Sequence, residues 1–494
     1  MNTETCVPNP EFLIKSISEQ GYSLETSIAD LIDNSISADA KQIEVLIDTQ
    51  VAPFQLFISD DGVGMTPDEL KKNMQFPSRS PEEYRESVDL GRFGLGLKTA
   101  SFAQTRCFTV LSSKRGRQGY SGRTWDVNHL KDSGSWEMII NSEEEIHNYL
   151  NTYFHLSKGF LNSFDDFIPS TIVIWHGLYK FETDISKNDK SAIIQKELTE
   201  TTKEYLQLVF HKFMERAKAL KIRLNNEQLV PFNPFPVKAR PISIRQKTLL
   251  GDKLKLEGYV LPNNSIAESK GISEWTLAHK SLMDMEGMYI YRADRVIVFG
   301  GWNGLIKKSP RLQLARLKVE IGNGIDHLFH LNVAKSSIII PFGERVGFIR
   351  YVSELKTEAE KEFFNFAERG PAIKSPMKAV FKKVPTSQGI SLAIDEEFPI
   401  LFALKATLTK EQLSQLKIFL RIITTSVNKI KKVHADETFT TLIEKDALEE
   451  NDLREAVILL LSSGINKASV LNDVIPTMGI DPQSLPSSIL SLLQ

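Results

Sequence analysis

The spacing of apolar residues changes several times along the chain, and each change marks an element. Over residues 23–41, SLETSIADLIDNSISADAK, Leu24, Ile28, Leu31, Ile32 and Ile36 recur every three to four positions, which predicts an amphipathic helix with Ser23 as its N-cap. FQLFISD at 54–60 is a strand-like run that enters the turn DGVG. The continuation TPDEL is a helix start, with Thr66 as cap, Pro67 at the first helical position and Glu69 two residues on, so this turn joins a strand to a helix instead of closing a hairpin. Residues 191–220 read as one amphipathic helix, on the spacing of Ile194, Leu198, Tyr205, Leu208 and Phe210. Residues 221–345 return to strand-like segments: KIRLNN, GMYIYRADRVIVFG with Asp294 at its turn, and HLFHLNVAKSSIIIP. PAIKSPMKAVFKKVPTSQGI, 371–390, reads as a linker or exposed arm. Beyond about 391 short helices follow, such as DLREAVILLLSSG and PSSILSLLQ.

At 494 residues the chain is too long for one ordinary core. The pattern divides it into 1–190, 191–370 and 371–494, the last of open role. The formal net charge of −2 supplies no global field toward nucleic acid or an anionic membrane. Any DNA contact falls to local patches: Lys238, Arg240, Arg245 and Lys247, or Lys307, Lys308, Arg311 and Arg316. A solvated surface explains both patches equally well. Cys6 and Cys107 are the only cysteines, which excludes a disulfide framework and suits a reducing compartment. MNTETCVPNPEF has neither a basic nor an apolar leader region, and the longest apolar runs are far short of a membrane span. A soluble cytoplasmic protein with no membrane partner is the expectation.

Three segments carry chemistry. On the 23–37 helix, Asp30, Asp33, Asn34 and Ser37 share the face opposite the apolar stripe. Taken alone they read first as a solvated face. The other reading is a metal–phosphate centre, in which Asn34 offers an amide oxygen to a hard cation and Asp30 accepts a proton from water. In DDGVGM, Asp60 stands at a strand end, where a carboxylate can accept from an exocyclic amine, and Gly62 and Gly64 allow close approach to a flat ring. GRFGLGLKTASFA, 91–103, suits a loop whose backbone amides and Lys98 cradle phosphates. It is not a P-loop, because Leu97 separates Gly96 from Lys98 and no strand leads into it.

In this order and at these separations the three segments resemble the N-box, DxGxG box and GxxGxG lid box of the gyrase/Hsp90/histidine-kinase/MutL (GHKL) ATPase superfamily. The resemblance implies an α+β helix/sheet sandwich that holds ATP and Mg2+ under a lid at about 66–98. Carried over by position, Asp30 stands for the general base and Asn34 for the metal ligand. Asp60 stands for the adenine reader, and Gly62, Gly64 and Met65 shape the base pocket. Gly91, Arg92, Phe93, Gly94, Leu95, Gly96, Leu97 and Lys98 form the phosphate loop. STIVIW matches the fourth box, with Thr171 as an adenine contact. Two positions depart from the pattern: the base is Asp where Glu is usual, and Ser170 replaces a glycine.

The later segments resemble an S5-like α/β transducer domain, in which Lys335 would reach back to the γ-phosphate. IADLIDNS, GRFGLGLKTAS, the 287–302 strand pair and VPFNPF are most similar to prokaryotic microrchidia (MORC)-type ATPases. That resemblance implies an ATP-gated homodimer acting on DNA, often in restriction or anti-phage settings, with the C-terminal region open to other protein partners. An Hsp90-like chaperone acting on protein clients is the alternative.

Overall fold

The computed structural model describes residues 3–4, 7–76, 95–117, 119–158, 167–182, 190–235, 242–262, 264–268, 274–322, 325–329, 338–369, 380–386, 389–434, 450–462, 466–475, 482 and 485–493. The chain divides into two compact units, Met1–Arg369 and Gly370–Gln494.

The first unit opens with helices α1 (Pro10–Ser18) and α2 (Leu24–Ser37), then strands β1 (Gln42–Asp48) and β2 (Gln55–Asp60). Helices α3 (Pro67–Met74) and α4 (Gly96–Phe102) precede β3 (Cys107–Ser112), β4 (Ser121–Asp126), α5 (Val127–Ser133), β5 (Ile139–Ile140), α6 (Glu143–Leu156) and β6 (Thr171–His176). α2 starts where its pattern predicts, with Ser23 and Thr26 forming a reciprocal cap, and α3 has the Thr66–Glu69 capping box.

These strands belong to one sheet in the order β5-β4-β3-β6-β2-β1-β7-β8, where β7 is Lys221–Leu224 and β8 is Glu227–Gln228. All pairs are antiparallel except β1 with β7. Alternation along the strands covers both faces. Val45, Leu56, Ile58, Val110 and Val173 pack under Ile28, Ile32 and Phe102, while Leu46, Phe57, Leu111, Ile172 and Ile174 pack under Ile146 and Tyr153 of α6.

The segment read as one helix over 191–220 is broken. After α7 (Tyr179–Glu182), it comprises α8 (Lys190–Lys196), a π-helical turn at Glu197–Thr202, α9 (Lys203–Val209) and α10 (His211–Met214). Phe210, with φ −107° and ψ 9°, leaves helical geometry between the last two while its ring stays fully buried. Burial of Ile194, Leu198, Leu208 and Phe210 on one core sets the apolar spacing, and a spacing of three to four does not distinguish a continuous helix from one with a wider turn. The Asn225–Asn226 turn and its strands complete the first sheet, because β7 lies beside β1.

The second sheet has β9 (Ile242–Ser243), β10 (Lys247–Leu249) and β11 (Leu254–Val260) before two short helices, α11 (Ser265–Glu268) and α12 (Leu282–Met285). Then come β12 (Gly287–Arg292), β13 (Arg295–Phe299) and β14 (Ala315–Ile321), with the order β10-β11-β14-β12-β13 and β9 beside β11. Ala293 and Asp294, both at positive φ, make the two-residue turn between β12 and β13. Met288 and Ile290 of β12 pack with Phe348, Val352 and Leu355 of the long helix α13 (Phe342–Arg369), whereas Tyr289 and Tyr291 turn to the core of the first sheet.

In the second unit, β15 (Phe381–Thr386) and β16 (Gly389–Ile394) form a hairpin. Part of the segment expected to be a linker is therefore strand, with Phe381 facing Ile394 and Val384 facing Ser391 across the hairpin. The expected helices follow as α14 (Pro399–Thr407), α15 (Lys410–His434), α16 (Glu450–Ser462), α17 (Lys467–Ser469) and α18 (Ser487–Leu493). Among the described residues no helix is long and apolar enough to cross a membrane. The chain has the α+β class expected of it, a helix/sheet sandwich followed by an α/β lobe and a helical C-terminal region.

Candidate functional site

α2 carries the first group of candidate residues, and the core divides them. Asp30 and Asp33 are buried, while Asn34 and Ser37 are exposed, so the polar stripe is not one solvated face. Asp30 Oδ2 accepts a hydrogen bond of 2.7 Å from the Tyr22 hydroxyl. Burial, followed by the Asp30 charge, pushes the Tyr22 phenol far above its ordinary range, so it stays a donor. Gly96, the first residue of α4, lies over this carboxylate: a side-chain carbon there would stand 3.4 Å from Asp30 Oδ2. Asp33 Oδ1 faces Arg295 Nε at 2.8 Å.

The second group meets the same helix at Ser35, the residue after Asn34. Asp60 ends β2, and its Oδ2 accepts from Ser35 Oγ of α2 at 2.8 Å while its Oδ1 accepts from the Gly62 amide at 2.9 Å. Burial pushes its carboxyl up to about 6, against the lowering effect of these bonds. The β2–β6 register sets Thr171 opposite Asp60, and the β3–β6 register sets Ser112 opposite Thr171. The two hydroxyls are 2.8 Å apart, and Ser112 Oγ also accepts from the Met65 amide at 2.9 Å. Both turn glycines are required by space. A side-chain carbon on Gly62 would be 2.7 Å from the Ala38 carbonyl oxygen, and one on Gly64, at φ +63°, would be 2.0 Å from that of Ser113. Ser170, the departure from glycine, donates its amide (2.6 Å) and its hydroxyl (3.2 Å) to the Asp60 carbonyl.

In the third group, Leu95 and Leu97 are half-buried, and Lys98 is almost wholly buried on α4. The Lys98 ammonium donates to the Asn73 carbonyl at the end of α3 (2.9 Å) and lies 5.6 Å from the Phe76 ring centre. Burial pulls it down to about 8. Gly91, Arg92, Phe93 and Gly94 lie outside the described residues, as does Lys335 with the strand expected before it.

The structure thus sets Gly96 over Asp30 in the middle of α2, with Asn34 one turn on, and gathers Asp60, Gly62, Gly64, Met65 and Thr171 about the next residue, Ser35. Sequence reasoning missed Tyr22, Ser35, Ser112 and Arg295. Ser35 was legible in principle, since it follows Asn34 on the helix turn that faces β2. The other three belong to the site only through tertiary contacts. Among the described residues no group of three or more His, Cys, Asp or Glu side chains could hold a metal by itself.

One expected DNA contact is overturned. Arg316 is fully buried, donating to the Pro234 carbonyl (2.5 Å) and to that of Trp275. Lys238 and Arg240 lie outside the described residues; Arg245, Lys307 and Lys308 are exposed.

Residues 22–157 match the family of histidine kinase-, DNA gyrase B-, and HSP90-like ATPases. A stretch of 91 residues is 34% identical to ATPase MORC2B of Mus musculus, covering 18% of this chain and only 9% of that relative. Among solved structures, the ATPase region of Saccharomyces cerevisiae topoisomerase II bound to dexrazoxane aligns over 70% of this chain and 86% of its own, at 12% identity and a TM-score of 0.37.

Proposed function

We infer from residues 22–157, which match the histidine kinase-, DNA gyrase B- and HSP90-like ATPase family, that this chain is a Mg2+-dependent ATP hydrolase. The observation that carries the reading is the double engagement of α2. One turn presents Asp30 and Asn34, and the adjacent Ser35 holds the Asp60 carboxylate at the end of β2.

The donor set fits magnesium. The exposed Asn34 amide is a neutral oxygen donor, and this ion characteristically takes one or two protein oxygens and completes its shell with phosphate and water. Bound there, the ion would neutralise phosphate charge. The chain's own groups do the rest. Asp30, held by the Tyr22 hydroxyl, accepts the proton of the attacking water. Gly96 of α4 stands over that carboxylate. Asp60 accepts from the adenine amino group, with the Thr171 and Ser112 hydroxyls beside it on the neighbouring strands. Lys98 closes the phosphate loop, and its ammonium would exchange the Asn73 carbonyl for a phosphate oxygen.

The finer reading is an ATP-gated homodimer that acts on DNA. Its support is the sequence likeness to a MORC ATPase and the exposed Arg245, Lys307 and Lys308. Steady-state ATP turnover, measured alone, with duplex DNA and with an unfolded protein, tests it. Stimulation by DNA is expected; stimulation by the unfolded protein alone would replace the clamp with a chaperone. Light scattering should show a doubled mass with a non-hydrolysed ATP analogue and not with ADP, and Lys335→Ala should lose that response while still binding nucleotide. Equal masses with both nucleotides would remove the clamp and leave the ATPase.

A further inference from the structure

We propose that Arg295 is a positioning residue for ATP turnover, fastening the second sheet to the turn of α2 that carries Asp30 and Asn34; this rests on the ATPase reading above. Arg295 opens β13, directly after the left-handed Ala293–Asp294 turn. That tight reversal delivers the guanidinium from the second sheet to the underside of α2, with Nε 2.8 Å from Asp33 Oδ1 and both side chains 1% exposed. Asp33 stands between Asp30 and Asn34 in the chain, on the same helical turn. Burial alone would disfavour the guanidinium charge, but Asp33 foremost, with Tyr205 and Asp30, favours it. Arg295 therefore balances two buried carboxylates, one of them the candidate base.

The tip of the hairpin is anchored separately. Asp294 receives Lys212 at 3.3 Å and Arg216 at 2.6 Å, and Lys212 also reaches Glu320 of β14 at 3.0 Å. The hairpin is thus tied to the α9–α10 segment at its tip and to α2 one residue later. Any displacement of β12–β13 must either stretch the Asp33 contact or move the α2 turn with it. Breaking the contact leaves a buried charge uncompensated, so moving the turn is the less costly course. Such a tether does more than hold two lobes together, because it ends on the helical turn that positions the base and the metal ligand.

The test uses the full chain with Arg295→Gln, Arg295→Lys, Asp33→Asn and the double variant Asp33→Asn/Arg295→Gln. For each, kcat, the Kd of a non-hydrolysed ATP analogue and the thermal midpoint are measured. A displaced base costs about 10²-fold in rate. We expect each single substitution to lower kcat by about 10- to 100-fold while the analogue Kd stays within about threefold. The double variant should be no slower than the slower single, because one contact is lost in all three. Arg295→Lys keeps the charge and the fold but not the planar geometry, so it carries the readout should Arg295→Gln fail to fold. A wild-type chain that binds ATP without turning it over overturns the ATPase reading and this inference together. Wild-type turnover that Arg295→Lys and a folded Arg295→Gln both leave within twofold overturns this inference alone. So does a loss carried wholly by the analogue Kd.

Discussion

Arg223 and Arg295 are both buried arginines that reach across the sequence to a carboxylate, but their surroundings differ. Arg223 on β7 meets Glu44 on the adjacent β1, and both side chains are 0% exposed. Glu44 Oε2 also accepts from the Tyr153 hydroxyl (2.6 Å) and Ser157 Oγ (2.7 Å), and Arg223 donates to the Lys158 carbonyl (2.7 Å). Neutral donors and a carbonyl thus accompany this pair. The cluster sits on the sheet face covered by α6, opposite α2. Arg295 donates to the carbonyl of its neighbour Val296 at 3.3 Å and lies 5.6 Å from the Phe210 ring centre, and the charge of a second carboxylate, Asp30, also acts on it. A buried ion pair ringed by neutral partners serves cohesion. One that shares its charge with a candidate base on the same helical turn serves the site. Buried pairs add little net stability over apolar packing, so the surroundings, and not the pairing itself, distinguish the roles.

Substitutions can break or sharpen this contrast. The largest effect is expected on the α2 side. Asn34→Ala should abolish Mg-ATP binding, because a metal ligand acts in ground and transition states alike. Asp30→Asn should keep binding and lower kcat by about 10²- to 10⁴-fold. Titration calorimetry with the analogue and steady-state turnover check the two; wild-type turnover in Asp30→Asn would remove Asp30 as the base. On the other face, Arg223→Met leaves Glu44 buried without its counter-ion and should cost about 3–5 kcal/mol in denaturant unfolding. Its kcat per folded molecule should stay at the wild-type value. A large loss of turnover in the folded variant would erase the distinction between the two arginines.

Asp60 gives a smaller effect with a defined pH window. Its carboxyl is pushed up from 3.8 to about 6 in the folded chain, so the native state holds the proton more tightly than the unfolded state. Stability should therefore fall as pH rises from about 4 to about 6, by about 3 kcal/mol, and level off above that range. Asp60→Asn should flatten this slope in urea titrations at pH 4, 5, 6 and 7. The carboxylate must be ionised to serve adenine best, so ATP affinity should weaken below about pH 6, and Asn should relax the preference for ATP over GTP. An unchanged ATP/GTP ratio would count against Asp60 as the base reader. Gly64→Ala is expected to cost more than left-handed strain alone, about 1–3 kcal/mol, because its side-chain carbon would also stand 2.0 Å from the Ser113 carbonyl oxygen. Differential scanning calorimetry would detect it as a lowered midpoint.

Elements with a local cause were legible in the chain. α2 and α3 follow from capping residues and apolar spacing within a single turn or two, and the 292–295 hairpin follows from its strand pattern and two-residue turn. Asp30, Asn34, Asp60, Gly62 and Gly64 could be picked out because their order and spacing resemble a motif. The break at Phe210 was not legible, because burial on one core enforces the same apolar spacing whether or not the helix is continuous. Nor was the placement of β7 beside β1, which depends on a parallel pairing between residues 42–45 and 221–224.

The sequence by itself determined the helix and strand signals, the two turn glycines and the set of acids and amides available to a nucleotide. Only the tertiary structure decided which polar residues would be buried. It placed Asp30 and Asp33 inside and left Asn34 exposed on the same helix, and it removed Arg316 from the surface by giving it two carbonyl partners. It also chose Tyr22, Ser112 and Arg295 as companions of the site. The physical reason is the range of the interactions. Capping and periodicity act over a few residues, whereas the desolvation that makes a carboxylate need a tyrosine or an arginine exists only once distant segments have packed around it.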